Sequence, residues 1–242
     1  MGRRKRILLK LTGELFIDPD TSEISNNVIK NVVKQIKQLQ KHYQFGIVTG
    51  GGNFFRGDEQ GKQLGITSGS SHQIGMLATM MNGLMVNDFL TQENIDSQIF
   101  TAQLCLGVGS PINHDSLKTA LKQDKHLIFV GGTGNPFFTT DTNAVLRALE
   151  IEADEIWKGT DVDGIYSSDP HKDSSAEFIK DITYKEALER NLKVMDATAF
   201  TLASSHNLAI RVFNIFDKKA LLHASSDKNF GSKIHSLRII ND

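Results

Sequence analysis

Short apolar runs alternate with longer segments of helical periodicity over most of the chain. The apolar runs cover residues 6–11, 45–49, 98–101, 126–130, 155–159 and 209–213. The helical patterns cover residues 25–43, 74–90 and 115–123 and a segment from Asp141 onward, with Ser25 as the expected cap of the first. Strands that alternate with helices form a mostly parallel sheet covered on both faces, with a binding crevice at the strand C-terminal ends. The sequence therefore predicts an α/β protein, a three-layer α/β/α sandwich.

Composition and charge restrict the possible partners and the location. The net charge of -1 gives no field that would draw the whole molecule to nucleic acid or to a membrane surface, so we expect neither partner. The single cysteine, Cys105, excludes an internal disulfide framework and fits a reducing compartment. The basic start at residues 2–6 is followed by only three apolar residues before Lys10, too few for an export signal. These features predict a cytoplasmic protein. No segment within residues 1–242 has the composition of an interdomain linker.

Glycine-rich segments follow three of the predicted strands. They are Thr12-Gly13, GGGNFFRG at residues 50–57 and GGTGNPF at residues 131–137. The last two carry Phe55 and Phe137 where the dinucleotide fingerprint needs a third glycine, and no GxxxxGK[ST] motif occurs in the chain. The remaining interpretation is phosphate binding by backbone N–H groups in glycine loops at helix N-termini.

The positive charge that such loops lack comes from other strands. Lys10, Arg56 and Lys158 each fall at or just beyond the C-terminal end of a predicted strand. A lysine alone is usually a solvated surface charge. Three cations on the edge that also carries the glycine loops predict a site for a polyanion.

Seven segments, in this order and spacing, resemble the bacterial uridylate kinase (UMP kinase) family of the amino acid kinase superfamily. They are KLTGE, VTGGGNFFRG, IGMLATMMN, GTGNPFFTTD, WKGTDVDGIYSSDP, KVMDATAFTLA and IRVFN. GTGNPFFTTD is the most specific, since KxxG and GGG are shared with carbamate, glutamate and aspartate kinases. The resemblance implies the amino acid kinase fold and transfer of the ATP γ-phosphoryl group to UMP, giving UDP and ADP for pyrimidine nucleotide biosynthesis.

The same resemblance implies an oligomeric state and two ligand-binding lobes along the chain. It implies a homohexamer of single amino acid kinase domains. Within each domain, about residues 1–150 are expected to form a UMP-binding lobe and about residues 151–242 an ATP-binding lobe. Mg²⁺ is implied through ATP, which usually supplies most of the metal ligands itself.

Matching the motifs position by position implies the site residues. The expected catalytic residues are Lys10, Asp141 and Lys158, with Asp141 orienting Lys10 or the magnesium. The expected ATP contacts are Lys10, Leu11, Thr12, Gly13, Gly52, Arg56, Thr160, Tyr166 and Asp169. The expected UMP contacts are Gly51, His72, Thr133, Gly134, Asn135, Pro136, Phe137, Phe138, Thr139 and Thr140. Phe137 and Phe138 could wall the base, although we expect at least one of them to be a structural packing residue.

His72 marks a departure from the family pattern. The family usually places an aspartate here, which accepts hydrogen bonds from the ribose hydroxyls, whereas residues 71–75 of this chain are SHQIG. One interpretation gives the ribose contact to His72. The other makes His72 a cap at the helix entrance and gives the contact to Ser71 or Gln73.

Two other functions remain as alternatives. One is another amino acid kinase that phosphorylates a carboxylate or carbamate, and GTGNPFFTTD argues against it. The other is a non-catalytic relative that stores nucleotide and metal. The eight histidines are scattered without clustered spacing, which argues against metal storage.

Overall fold

The computed structural model describes residues 3–18 and 20–236. In these ranges the strands are β1 (Lys5–Leu11), β2 (Tyr43–Thr49), β3 (Ser97–Thr101), β4 (Ser110–Pro111), β5 (His126–Val130), β6 (Glu155–Thr160), β7 (Ile165–Tyr166), β8 (Phe178–Ile179), β9 (Asp181–Thr183), β10 (Ile210–Asn214) and β11 (Ser232–His235). The helices are α1 (Asn27–Leu39), α2 (Gly57–Gln63), α3 (Ser68–Gln92), α4 (His114–Lys122), α5 (Thr140–Glu150), α6 (Tyr184–Glu189), α7 (Ala197–Ser205) and α8 (Ala220–Ser226), with a 3₁₀ turn at Gly13–Phe16.

Nine of the strands form one sheet in the order β4-β3-β5-β2-β1-β6-β10-β11-β9. Neighbouring strands are parallel except for β10 and β11, which are antiparallel. The predicted mostly parallel sheet is thus confirmed. Strand β1 lies at the centre between β2 and β6, so its C-terminal end adjoins the ends of both neighbours.

Helices cover both faces of the sheet. Alternate residues of β1 point to opposite faces, and Ile7 and Leu9 pack with α1, α3 and α8 while Leu8 packs with α4, α5, α6 and α7. A strand buried on both faces is expected to be apolar throughout, which explains the run ILL in β1. The predicted three-layer α/β/α arrangement is confirmed. No helix in the described part of the chain is both long and apolar enough to cross a bilayer.

Helix starts differ most from the predictions. Helix α1 begins at Asn27 after Asn26, so Ser25 is not its cap. Helix α3 begins at Ser68 rather than Ile74, and the side chain of Thr67 accepts a hydrogen bond from the Ser70 N–H. The segment GSS after Ser68 has poor helix propensity and no apolar spacing, so this cap extends the helix beyond its apolar pattern.

Candidate active site

Two lysines and one carboxylate meet at the C-terminal edge of the sheet. Lys10 and Lys158 are direct register partners on β1 and β6. Asp141, in the first turn of α5, lies between them: its Oδ2 accepts a hydrogen bond from Lys158 Nζ at 2.6 Å. Lys10 Nζ lies 3.1 Å from Oδ1 as an ion pair without hydrogen-bond alignment. The three side chains are only 13–14% exposed.

This cluster carries one positive charge in excess of its carboxylate. Burial raises the pKa of a carboxyl group, but the charges of Lys10 and Lys158 outweigh burial here, so the pKa of Asp141 lies below its ordinary value. Burial and the neighbouring charge of Lys10 lower the pKa of Lys158, against the opposing attraction of Asp141. Asp141 is therefore ionised at neutral pH, and an anionic ligand would neutralise the remaining charge.

The start of α5 is held by a carboxylate from a distant helix. Thr139 Oγ1 caps α5 by accepting from the N–H groups of Asp141 and Thr142. The same hydroxyl donates to Asp196 Oδ2 at 2.5 Å, and the Thr142 hydroxyl also donates to the Asp196 carboxylate. Asp196 is itself the N-cap of α7. One carboxylate thus fixes the start of both helices, and with it the position of Asp141.

The first two glycine loops lie against each other. The Gly50 N–H donates to the Leu11 carbonyl at 2.8 Å. A Cβ on Gly13 would lie 2.7 Å from Asn53 Oδ1 and 2.9 Å from the Gly52 nitrogen, closer than real Cβ atoms approach. Only glycine therefore fits at position 13, and the predicted ATP contacts at residues 10–13 lie beside Gly52.

The third glycine loop, residues 131–140, has an unusual backbone. Gly131, Gly132 and Gly134 have positive φ, and so does Phe137 at +70°. A phenylalanine in the left-handed region is uncommon, and such conformations concentrate at binding sites. Phe137 and Phe138 are 69% and 47% exposed, so neither is a core residue. The Phe137 ring instead contacts the His72 ring, with centroids 5.0 Å apart.

The contact with Phe137 brings the start of α3 to this loop. Ser71, one of the alternatives to His72, is fully buried and its hydroxyl donates to the Thr67 carbonyl, which excludes it as a ligand contact. Gln73 is exposed, and its side-chain oxygen accepts from Gln103 at 2.9 Å. Of the three residues, His72 has a ring contact with the predicted UMP loop, and Gln73 stays an alternative for the ribose contact.

A cavity of about 700 Å³ adjoins the lysine cluster at Lys158. Lys158 lines it together with Thr160, Tyr166 and Asp169, three of the predicted ATP contacts. Tyr166 packs edge-on against Phe178, at 5.5 Å between ring centroids. The Asp169 carboxylate accepts from the His171 N–H and pairs with Lys172, and the former contact leads the causes that lower its pKa. Asp169 therefore shapes the outer wall of the cavity.

Arg56 is separate from the two lysines. Its guanidinium is half exposed and pairs with Glu14, at 3.2 Å, beside the Gly13 turn. The structure thus brings Lys10 and Lys158 together and leaves Arg56 outside this cluster, paired with Glu14.

Residues 5–214 match the family model described as the amino acid kinase family. The chain belongs to the amino acid kinase family. It is 43% identical over 222 residues to the uridylate kinase of Magnetococcus marinus, covering 91% of this chain and 92% of that protein. The structure superimposes on the UMP kinase of Ureaplasma parvum with a TM-score of 0.91 and 34% identity, over 97% of this chain and all of that one. The UMP kinase of Bacillus anthracis gives 0.90 and 30%, over 97% of each chain.

The resemblance to uridylate kinases is therefore confirmed for this amino acid kinase. Sequence reasoning missed Asp196, although the segment MDATAF contains it as an acid directly before a helical run, which is a cap signal. The cap could have been predicted. Its bonds to Thr139 and Thr142, more than 50 positions away, could not.

Proposed function

We propose that this chain is a UMP kinase that transfers the γ-phosphoryl group of ATP to UMP and releases UDP and ADP. The observation that carries the proposal is the Lys10–Asp141–Lys158 cluster, in which Lys158 lines the 700 Å³ cavity and Asp141 directly follows the loop at residues 131–140. The uridylate kinase names of relatives that align over nine tenths of the chain support UMP as the acceptor.

The reaction needs electrostatic stabilisation rather than a general base. An oxygen of the UMP phosphate, already ionised, attacks the γ-phosphorus of ATP, and the bond between that phosphorus and the β,γ-bridging oxygen breaks. UMP²⁻ and ATP⁴⁻ become UDP³⁻ and ADP³⁻, so charge balances without a proton transfer. Catalysis then consists of aligning two anions and neutralising the charge that develops on the group in transit.

Each group of the site has a role in that scheme. Lys10 and Lys158 contact the transferring phosphoryl group, and Asp141 holds both ammonium groups in place. Residues Lys10, Leu11, Thr12, Gly13 and Gly52 contact the ATP phosphates, with Arg56 at the entrance, and Thr160, Tyr166 and Asp169 surround adenosine. Gly51 and residues 133–140 bind the UMP phosphate and uridine, with His72 at the ribose. Hydroxyls and N–H groups at the start of α5 suit a dianion, because helix N-termini attract negative charge.

Magnesium fits this site as a companion of ATP. No group of three or more His, Cys, Asp or Glu side chains within residues 3–18 and 20–236 has the arrangement of a metal site. An ion held mainly by phosphate oxygens would need few protein ligands, and Asp141, whose Oδ1 accepts no hydrogen bond from the described residues, would be a carboxylate able to contact it. Such an ion would neutralise phosphate charge and orient the ATP tail.

We also propose a homohexamer in the cytoplasm, with each subunit a single domain of two lobes. Strand β1 supports the single domain, since it pairs with β2 of the first lobe and β6 of the second. Helix α3 supports assembly, because Leu77, Met81 and Leu84 form an exposed apolar row at helical spacing. A surface row of this kind is typical of contacts between subunits.

Assaying acceptors in parallel tests the proposed substrate. ADP release would be followed with UMP, CMP, AMP and glutamate at equal concentration, with ATP and Mg²⁺ in excess. We expect UMP to give the highest kcat/KM by at least about tenfold. A higher value for glutamate or for another nucleotide would overturn the proposal, and nucleotide binding without turnover would favour a storage role.

A further inference from the structure

Helix α3 presents two buried polar side chains to the glycine loops. Thr79 and Asn82 are three positions apart and therefore lie on one face of the helix, one turn from each other. Both are buried, and Asn82 has no exposed surface. Neither belongs to the proposed ATP or UMP contacts.

Asn82 holds the second glycine loop. Its Nδ2 donates to the Gly50 carbonyl at 2.6 Å and to Asn53 Oδ1 at 2.7 Å, while its Oδ1 accepts from Asn53 Nδ2 at 3.0 Å. The two hydrogen bonds with Asn53 form a reciprocal amide pair. Asn53 in turn packs against Gly13 of the first loop. Asn82 therefore binds the loop on both sides of Gly51 and Gly52.

Thr79 holds the third glycine loop at its first residue. Its hydroxyl accepts from the Gly131 N–H at 2.9 Å and donates to the Met76 carbonyl within the helix at 2.7 Å. The internal bond fixes the hydroxyl so that a lone pair faces Gly131. Gly131 has a φ of +80°, and the hydrogen bond holds the point where the chain leaves β5.

Small residues let this helix touch the second loop directly. A Cβ on Gly51 would lie 2.7 Å from the Ala78 Cβ and 2.9 Å from the Gly75 carbonyl oxygen. Because the helix backbone and the loop are in direct contact, α3 cannot shift without moving Gly51. The helix is thus a rigid connection between the second and third loops.

We propose that Thr79 and Asn82 are positioning residues for phosphoryl transfer, which set the distance between the bound ATP and the bound UMP. The inference rests on the proposed assignment of Gly52 to ATP and of Gly51 and residues 133–140 to UMP. In this assignment the second loop contacts both ligands and the third loop contacts UMP, so an in-line attack needs the two loops held in register. A misplacement of about 1 Å can lower the rate roughly 10²-fold. Loss of either side chain should therefore lower kcat more than it weakens binding.

The test compares four variants of the full chain by steady-state kinetics and thermal unfolding. We expect Asn82→Ala to lower kcat by 10- to 100-fold and Thr79→Val by about tenfold, with KM for ATP and UMP within about threefold of wild type. Thr79→Ser restores the hydroxyl and should return kcat to within about threefold. Gln35→Ala is the matched control, since Gln35 is a buried amide that accepts from the Leu221 N–H far from the loops. It should lower Tm without lowering kcat.

Each outcome decides the question. A folded Asn82→Ala or Thr79→Val protein with wild-type kcat would overturn the inference, as would a fall in kcat that Gln35→Ala reproduces at equal loss of Tm. If Asn82→Ala does not fold, a comparison of kcat between Thr79→Val and Thr79→Ser still tests the inference, because valine keeps the shape of threonine and lacks only its hydroxyl. Failure of the proposed site would look different: Lys158→Ala would then keep its activity, whatever Thr79 and Asn82 do.

Discussion

The two ends of strand β1 both carry basic residues, and the structure uses them in opposite ways. At the N-terminal end, Arg3 forms a two-bond pair with Asp154, at 2.7 and 2.8 Å. Arg4 donates to Asp124 and to the Gln40 carbonyl, and Arg6 donates to Gln44. At the C-terminal end, Lys10 and Lys158 share the single carboxylate of Asp141.

The difference is one of partners rather than of composition. At the N-terminal edge each of these arginines has its own carboxylate or its own polar oxygens, so the charges tie the sheet to neighbouring loops. At the C-terminal edge two nearly buried ammonium groups share one carboxylate, and Lys158 also donates to the Val194 carbonyl at 2.5 Å. Paired charge contributes to structure, whereas the unmatched charge is available to a ligand.

The largest effect is expected from removing a cation at the C-terminal edge. Lys158→Ala and Lys10→Ala should each lower kcat by roughly 10²-fold or more, the scale for a cation that acts in the transition state. Arg4→Ala, at the other end of β1, should leave kcat within about twofold. Initial rates with saturating ATP and UMP measure both. Near wild-type turnover in Lys158→Ala would contradict this interpretation, because the unmatched charge would then have no catalytic role.

At the N-terminal edge, the largest effect should fall on stability. Glu155 is buried between Arg211 and Lys5, each at 3.3 Å. Glu155→Gln leaves the buried Arg211 guanidinium without its carboxylate and should lower the free energy of unfolding by about 3 kcal/mol, with kcat unchanged. Urea unfolding at fixed protein concentration measures the change. Asp154→Asn, which removes a more exposed carboxylate, should cost no more than about 1 kcal/mol, and an equal loss in both variants would contradict this prediction.

The central part of the fold was predictable because its signals are local. The strands β1, β2 and β5 are apolar runs that end in glycine loops, and their C-terminal ends meet that of β6 at one edge, as in any parallel sheet. Strands β4, β7, β8 and β9 have two or three residues each, too few to show a period. Their pairing depends on tertiary contacts rather than on a local sequence pattern.

The clustering of Lys10 and Lys158 with Asp141 was predictable from the sequence, whereas the contacts between other distant side chains around them were not. Lys10 and Lys158 follow from strand ends and from the family motifs. Three hydrogen bonds depend on proximity between segments far apart in the chain. They join Asp196 to Thr139, Asn82 to Gly50 and His126 to Phe45. No periodicity or spacing in one sequence encodes such a contact.

His126 makes the N-terminal edge sensitive to acid. Its Nδ1 accepts from the Phe45 N–H at 3.1 Å, and burial, aided by the charge of Arg4, lowers its pKa to about 4. The stability that neutral, buried His126 contributes is fully present above the unfolded pKa of about 6.5. It is lost as the pH falls toward about 4, because in this range the unfolded chain binds a proton at His126 and the folded chain does not. We expect a loss of about 3 kcal/mol over that window.

Chemical unfolding of wild type and His126→Asn at several pH values checks this expectation. Asparagine can place its amide oxygen near the position of Nδ1, so the bond from Phe45 can persist without a titrating group. The variant should lose less stability than wild type between pH 6.5 and 4. Parallel pH profiles of stability for the two proteins would show that the acid sensitivity arises elsewhere. A fall in kcat at pH values where both proteins are still folded would point to groups at the C-terminal edge.

The smallest effect is expected at His72, at the C-terminal edge. Substitution there should change the preference between substrates rather than the maximal rate. His72 contacts Phe137 of the proposed UMP loop, and we therefore expect it to lie beside the bound nucleotide. A neutral imidazole accepts one hydrogen bond, whereas a carboxylate accepts at two oxygens and can take both ribose hydroxyls. His72→Asp should therefore lower KM for UMP and increase the preference for UMP over dUMP by about 1 kcal/mol, roughly fivefold. The ratio of kcat/KM for the two nucleotides measures this in wild type, His72→Asp and Gln73→Ala. An unchanged ratio in His72→Asp, with a shift in Gln73→Ala, would transfer the ribose contact to Gln73.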